Sequence, residues 1–299
     1  MVMRLLLASL RALGGFLTIL VLVTLLTVFL QHLRKGTAEE ALMGQRGTAQ
    51  GLALIAQKPF SKKLAEFVAD LPQIFLWKSL RGTPVVPQIR HAFANTALLT
   101  VLSLAFSVVI GLSLLIAAEF TPRVAPSLER LATAINTTPI FLIGIFLIWL
   151  FSFALHLLPS GGDTSLKSFI LPALGIALKF GARLFLLLSN YMLDLEKQVF
   201  VLRARAYALG NKRIFLHKLA NCAMPFVIFW LIETASLFSG AVIVESLFSI
   251  HGLGTLLLFA LLQYDIRLIF ANLTVIAAIV YLTSLIQASL AAREDALKA

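Results

Sequence analysis

Charge is scarce in this sequence: 13% of its 299 residues are Asp, Glu, Lys or Arg, where soluble domains carry about a quarter. With 60% hydrophobic residues and a mean hydropathy of +0.95, a water-surrounded globule is excluded, because its surface would be apolar almost throughout. Cysteine is nearly absent. Cys222 stands alone, so no internal disulfide can form and no thiolate cluster is available for a metal; it reads as a packing residue. Trp and Tyr are few, 3 and 4 against 23 Phe, which suits side chains facing lipid or packed between helices. Acidic residues are fewer than basic ones, 14 against 25. The basic excess falls between apolar runs without the interleaved aromatics of a stacking platform, so it points to the cytoplasmic side of a membrane and not to nucleic acid.

Catalytic patterns are missing too. A nucleotide-hydrolysing subunit needs a Gly-rich loop ending in Gly-Lys-Ser/Thr to cradle phosphates, and Gly252-Leu253-Gly254 lacks the lysine. His32, His91, His156, His217 and His251 form no i, i+3 or i, i+4 pair, and no carboxylate pair makes a helical metal face. Ser160-Gly161-Gly162 and Ser239-Gly240 could suggest an intramembrane serine protease, but no histidine lies well inside an apolar run to serve as the base. No catalytic residue, metal site or cofactor is expected in this chain.

What is there is a series of long apolar runs. Crossing the hydrocarbon takes about 20 residues, and such runs fall near 12–31, 95–118, 133–155, 168–189, 223–247 and 268–291. Backbone groups in lipid must pair within their own segment, so each run reads as a helix: an all-α membrane protein of six transmembrane helices. Arg4 and Arg11 precede the first run, and Gln31-His32-Leu33-Arg34-Lys35 follows it where a signal peptide would show a small-x-small cleavage site; the run reads as a retained first helix. Pro139 and Pro172 fall near the starts of the third and fourth runs, where a missing amide costs least. The loop 190–222 holds six Lys and Arg, against one each in 156–167 and 248–267, which places it and both termini in the cytoplasm. Residues 32–90, with nine basic residues, then lie outside; their apolar positions (Leu52, Leu54, Ile55, Phe60, Leu64, Phe67 and onward to Leu76) read as short amphipathic helices on the outer face. The expected division is 1–94, the first helix with its extracytoplasmic segment, and 95–299, a five-helix core whose cytoplasmic loop is 190–222.

Polar groups inside such runs are costly and mark function by default. Glu233, with Thr234, Ser236 and Ser239, puts a polar stripe on the fifth run, which fits either a water-filled pathway or a carboxyl satisfied between helices. Lys179 and Arg183 share a face of the fourth run and read as snorkelling toward the cytoplasmic interface. Asn95 with Thr96, and Glu245 with Ser246, fall near span ends, where solvation accounts for them.

The 190–222 loop contains Ala204-Arg205-Ala206, Leu209 and the exit Asn221 to Pro225. It resembles the coupling loop of ABC importer permeases, specifically those of the dipeptide, oligopeptide and nickel permease family. The motif's acidic residue is replaced by Leu202 or Arg203, its Gly by Ala208, with Gly210 two residues later, and the loop is one residue short. Thr138-Pro139-Ile140-Phe141 with Leu157 to Gly162, Ile170-Leu171-Pro172-Ala173, and Val244-Glu245 through Gly252-Leu253-Gly254 are similar to the family's other segments in the right order. His251 stands where the family has Pro, and the family's Gly-Asp-Pro and Asp-Pro-Arg motifs are missing. The resemblance covers roughly 85–290 and identifies the chain as a divergent member.

The resemblance implies a pore-forming subunit in the bacterial inner membrane, paired with a second permease subunit, two ATPase domains that bind ATP and Mg, and an extracytoplasmic substrate-binding protein. It implies short peptides as substrate, or nickel or a metal-chelate. Arg203, Ala204, Arg205, Ala206, Leu209 and Gly210 would carry the ATPase coupling, and Glu233, Thr234, Ser236 and Pro139 would belong to the translocation pathway. From the loop's residues alone an amphipathic helix on anionic lipid is the favoured reading; the alternative for the chain is an ion-coupled secondary transporter using Glu233, whose usual paired broken helices and internal repeats are not visible in the sequence.

Overall fold

The structure is a computed structural model and describes residues 2–33 and 59–298. Among them every element is helical apart from one isolated bridge between Lys78 and Pro84, as expected of a chain whose backbone must satisfy itself in lipid.

Helix α1 spans Val2–Leu33 and carries an apolar stretch over Gly14–Leu30. Helix α2 (Phe60–Asp70) and a 3₁₀ segment (Leu71–Leu76) follow; Leu52, Leu54 and Ile55 lie outside the described residues. Then come α3 (Val85–Phe120), α4 (Ala125–Thr137), α5 (Ile140–Leu147) continued by π-helical Ile148–Ala154, and α6 (Leu166–Leu195). Two short helices, α7 (Val199–Ala206) and α8 (Asn211–Asn221), lead into α9 (Ala223–Gly240) and α10 (Val242–Leu247). The chain closes with α11 (Leu253–Gln263) and α12 (Ile266–Lys298).

Among the described residues four helices, α3, α6, α9 and α12, are long and apolar enough to cross a membrane; a fifth crossing is obtained if α4 and the α5 segment count as one broken span. Helix length and composition among the described residues thus give four or five crossings of the six expected. The third run is not a continuous helix: α4 and α5 meet at a 101° bend. Pro139 causes it. The residue before proline is driven out of the α region, and Thr138 is extended at φ −67°, ψ 132°. The fifth run is likewise interrupted at Ala241, leaving α9 and the short α10. Pro172 lies two turns inside α6.

The fold resolves into two compact units. One ends at Ala94 and resumes over Gly252–Tyr281. Its core joins Val28, Phe67, Trp77, Val85, Leu268 and Phe270, with Phe67, Trp77 and Phe270 in mutual ring contact at 5.1–5.8 Å. Asp265 caps α12, accepting from the Leu268 amide at 3.1 Å, and also holds the Leu80 amide at 2.8 Å. Arg267 pairs with Asp70 at 2.8 Å and lies over the Trp77 ring.

The other unit comprises Asn95–His251 and the chain from Leu282, and is organised on α6, which packs against α4, α5 and α9. Leu171, Ile176, Leu184, Phe185 and Leu188 are fully enclosed. Close approach of α3 to α6 depends on Gly181: a Cβ there would stand 2.8 Å from Ile110 Cβ and 3.0 Å from the Ser107 carbonyl. Small residues at such crossings let backbones meet where lipid supplies no hydrophobic drive.

Candidate functional site

The break at Pro139 frees the carbonyls that end α4, and unsatisfied carbonyls are costly in a membrane. Lys179, on α6, donates its Nζ to the Thr138 carbonyl at 2.9 Å. A cation at a helix C-terminus is also favoured by the dipole. One turn further along, Arg183 donates from Nε to Asn136 Oδ1 at 3.3 Å and from Nη1 to Glu233 Oε1 at 2.6 Å. Neither basic residue snorkels away: both are turned into the polar end of the broken helix. Glu233 is 1% exposed, whereas the Arg183 side chain remains 41% exposed. Glu233 thus does not itself line open space; it holds Arg183 in place, with Oε2 lacking a hydrogen-bond partner. Thr234 Oγ1 bonds the Trp230 carbonyl within α9, and Ser236 is exposed. Pro139 contributes by making the bend.

The loop after α6 folds as a helical hairpin. In α7, Val201 and Ala204 face inward onto Ile214 of α8, with Leu209 packed against them. Ala204 is therefore part of the hairpin's core and not of its outer surface. Arg203, Arg205 and Ala206 are exposed, as are Leu202 and Tyr207, the latter 81%. The turn is closed by the Leu209 amide donating to the Ala204 carbonyl at 3.1 Å. Ala208 sits at φ +53°, the left-handed region where glycine is at ease; this is the position where the resembled motif has Gly. Gly210 begins α8 as an extended residue.

Lys218 of α8 anchors the hairpin. It is 2% exposed, yet its Nζ meets Glu119 Oε1 at 2.6 Å and Glu196 Oε1 at 2.7 Å, and Glu196 Oε2 receives Arg205 Nη2 at 2.6 Å. Burial works against both charges, but the mutual hydrogen bonds prevail: Glu196 is held below the ordinary carboxylate range and Lys218 above the usual lysine value. Glu119 and Glu196 end α3 and α6, so one ammonium fastens the hairpin to two long helices. Arg205 is engaged inward as well. The buried Cys222 lies at the exit from α8, its thiol pushed up by desolvation.

At the other end of this unit Thr96 Oγ1 donates to Glu245 Oε1 at 2.6 Å with both residues enclosed; solvation does not account for them. Asn95 donates to Asp163 Oδ2 at 3.1 Å and to the His251 carbonyl at 3.0 Å, and His251 Nδ1 stands 3.0 Å from the same carboxylate. The histidine that replaces proline has a carboxylate partner. Gly161 lies so close to Phe248 that a Cβ would collide with its carbonyl.

Pairings that residue types alone did not reveal are Arg183–Glu233 and the Lys218 network. A signal for the second exists in the sequence: Glu119 and Glu196 each close a long apolar run, and a carboxylate at a helix C-terminus opposes the dipole unless a cation answers it. Among the described residues no group of three or more His, Cys, Asp and Glu could hold a metal.

Ion pairs placed in membrane-length helices, where lipid makes them costly, belong to polytopic proteins with a polar interior and not to simple anchors. The chain is a member of the binding-protein-dependent transport system inner membrane component family, whose profile matches residues 109–294. It is similar to the metal-staphylopine import system permease protein CntB of Staphylococcus aureus, 30% identical over 205 residues, 67% of this chain and 65% of that one. It is also similar to glutathione transport system permease proteins GsiC: that of Shigella flexneri at 26% over 272 residues (88% of this chain, 89% of the relative) and that of Salmonella typhimurium at 27% over 259 residues (83% and 84%). The match to CntB thus spans just under two thirds of that relative.

Proposed function

We propose that this chain is one of two pore-forming subunits of an ATP-driven importer in the bacterial inner membrane, working with a second, different permease subunit, two ATPase domains and an extracytoplasmic substrate-binding protein. ATP and Mg belong to the ATPase subunits, and this chain supplies no catalytic group. The observation that carries the reading is the exposed hairpin α7–α8 fastened through Lys218 to the ends of α3 and α6. A compact basic projection tied to membrane helices can be moved as a rigid body by a partner and transmit that movement to the spans. Arg203, Ala206 and Tyr207 form its outer surface; Arg205, Ala204, Leu209 and Gly210 hold its shape.

Six crossings with both termini cytoplasmic remain the proposed topology, with α1 and the α4–α5 segment as the first and third. The proposed division is 1–94 as first helix and outer segment and 95–299 as permease core. Pro139, Glu233, Thr234 and Ser236 are assigned to the translocation pathway, Glu233 by way of Arg183. The substrate is a short peptide or peptide-like compound, a reading supported by the relatives named for glutathione. The second reading is a metal-chelate, favoured by the relative named for metal-staphylopine import. An ion-coupled carrier using Glu233 is disfavoured because that carboxylate is ion-paired to Arg183. Purification of the tagged chain in mild detergent from its native membrane tests the proposal: ATPase subunits are expected in stoichiometric yield, and a chain that purifies alone would overturn it.

A further inference from the structure

Helix α6 is the most enclosed of the four long apolar helices; 61% of its apolar stretch is buried, against 22–28% in the others. Between Ser168 and Met192 the only exposed residues are Leu187 and Asn190. With partly exposed Lys179 and Arg183 they fall at i, i+4, i+8 and i+11, a single helical face. The open side of this helix therefore carries two cations and an amide beside Leu187. An arginine inside a span and facing hydrocarbon is costly, so a face carrying Lys179, Arg183 and Asn190 is not a lipid face. Its charge is also unbalanced. Glu233, bonded to Arg183, is the one carboxylate in contact with either cation among the described residues, and Lys179 answers only the partial charge of the α4 carbonyl end.

We propose that the Lys179–Arg183–Asn190 face of α6 lines the solute pathway and that the solute presents a carboxylate group to it. The assignment rests on the permease reading and deepens it. Peptide carboxylates and carboxylate-rich metal-chelates both meet it, while a free metal cation does not. Charge focused by low-dielectric walls raises the local concentration of the opposite sign by 10-fold or more, so the two cations would favour entry of anions without holding them in a deep well.

The test uses the complex as purified with its ATPase, in a Cys222→Ala background, with Leu187→Cys or Asn190→Cys as reporter on the same face. Two thiol reagents of similar size are compared, the anionic sulfonatoethyl and the cationic trimethylammonioethyl methanethiosulfonate, and modification of this chain is read by mass spectrometry. With each rate divided by that of the same reagent on a small free thiol, the anionic reagent is expected to react roughly 10 times faster, the low end of what focused charge gives. Lys179→Gln, which leaves the Arg183–Glu233 pair intact, should lower that ratio at least threefold. Equal rates, a preference for the cationic reagent, no reaction at either position, or a ratio unmoved by Lys179→Gln would overturn the proposal. Presence or absence of the ATPase in the same preparation reports separately on the permease reading.

Discussion

Arg183 and Glu233 stand 2.6 Å apart, one on α6 and the other on α9, with the carboxylate 1% exposed and the guanidinium still partly open. The pair joins α6 to α9 beside Asn136, near the end of α4. Breaking a buried pair on one side leaves a charge without compensation and costs about 3–5 kcal/mol. Glu233→Leu should therefore lower the thermal midpoint of the detergent-purified complex sharply, Glu233→Gln less because an amide oxygen can still accept from Arg183. The double change Arg183→Met with Glu233→Leu should recover most of the loss. A double variant as unstable as Glu233→Leu would contradict the pairing.

Lys218 is the hub of the cytoplasmic network, and its replacement by Met should free Glu119 and Glu196 to repel one another. Limited proteolysis should then cut between residues 197 and 210, where the parent resists. The pH dependence has a definite sign. Glu196 has a lowered pKa, so its contribution is complete above the ordinary value of 4.5 and is lost as pH falls through the lowered one. Lys218 has a raised pKa, so its contribution is complete below 10.5 and is lost as pH rises through the raised one. Protection from proteolysis should be flat from pH 6 to 9, and a midpoint inside that window would exclude the network as its source.

Ala208 occupies a left-handed turn at φ +53°, a conformation that costs a residue with a Cβ about 1–2 kcal/mol. Ala208→Gly should relieve the turn and slow proteolysis between α7 and α8 by a few-fold. Ala208→Val should do the reverse.

Gly181 lets α3 and α6 meet, and Gly181→Leu would drive a side chain into Ile110 and the Ser107 carbonyl. Overpacking of this kind costs about 1–3 kcal/mol or more. The variant should be recovered in lower yield and with a lower thermal midpoint, whereas Gly14→Leu, where a Cβ meets nothing within 4 Å, should match the parent.

Much of this fold was legible from hydropathy alone, because lipid forces helix on any long apolar run; the helices at 85–120, 166–195 and 266–292 fall where the runs do. The breaks were less legible. Pro139 was visible, but whether a proline merely starts a helix or bends one by 101° depends on whether neighbours can satisfy the freed carbonyls, and Lys179 lies 41 residues away. The same limit applies to polar partners. Glu233 stood out as a mid-span carboxylate, yet its partner is 50 residues distant on another helix, and helical periodicity carries no information across helices. Ala204 belongs to the stretch that the resemblance assigns to coupling; the structure uses its smallness to let α7 pack on α8. Tyr207, 81% exposed, was not singled out because it is not one of the residues that carry the resemblance.

The central claim is that the α7–α8 hairpin receives force from an ATP-hydrolysing partner and passes it to the spans. Ala206 is exposed on α7 beside Arg203 and Tyr207, so Ala206→Trp adds bulk on the outer surface without entering the hairpin core. The direct measurement is the amount of ATPase subunit retained by the purified chain, and its rate of ATP hydrolysis, in Ala206→Trp against Ala204→Gly, which alters only the buried side. Loss of the ATPase, or hydrolysis no longer responsive to the substrate-binding protein, is expected for Ala206→Trp, with the membrane helices still folded by circular dichroism. Full retention and unchanged hydrolysis with Trp at 206 would contradict the account and return the hairpin to an amphipathic element resting on the lipid surface.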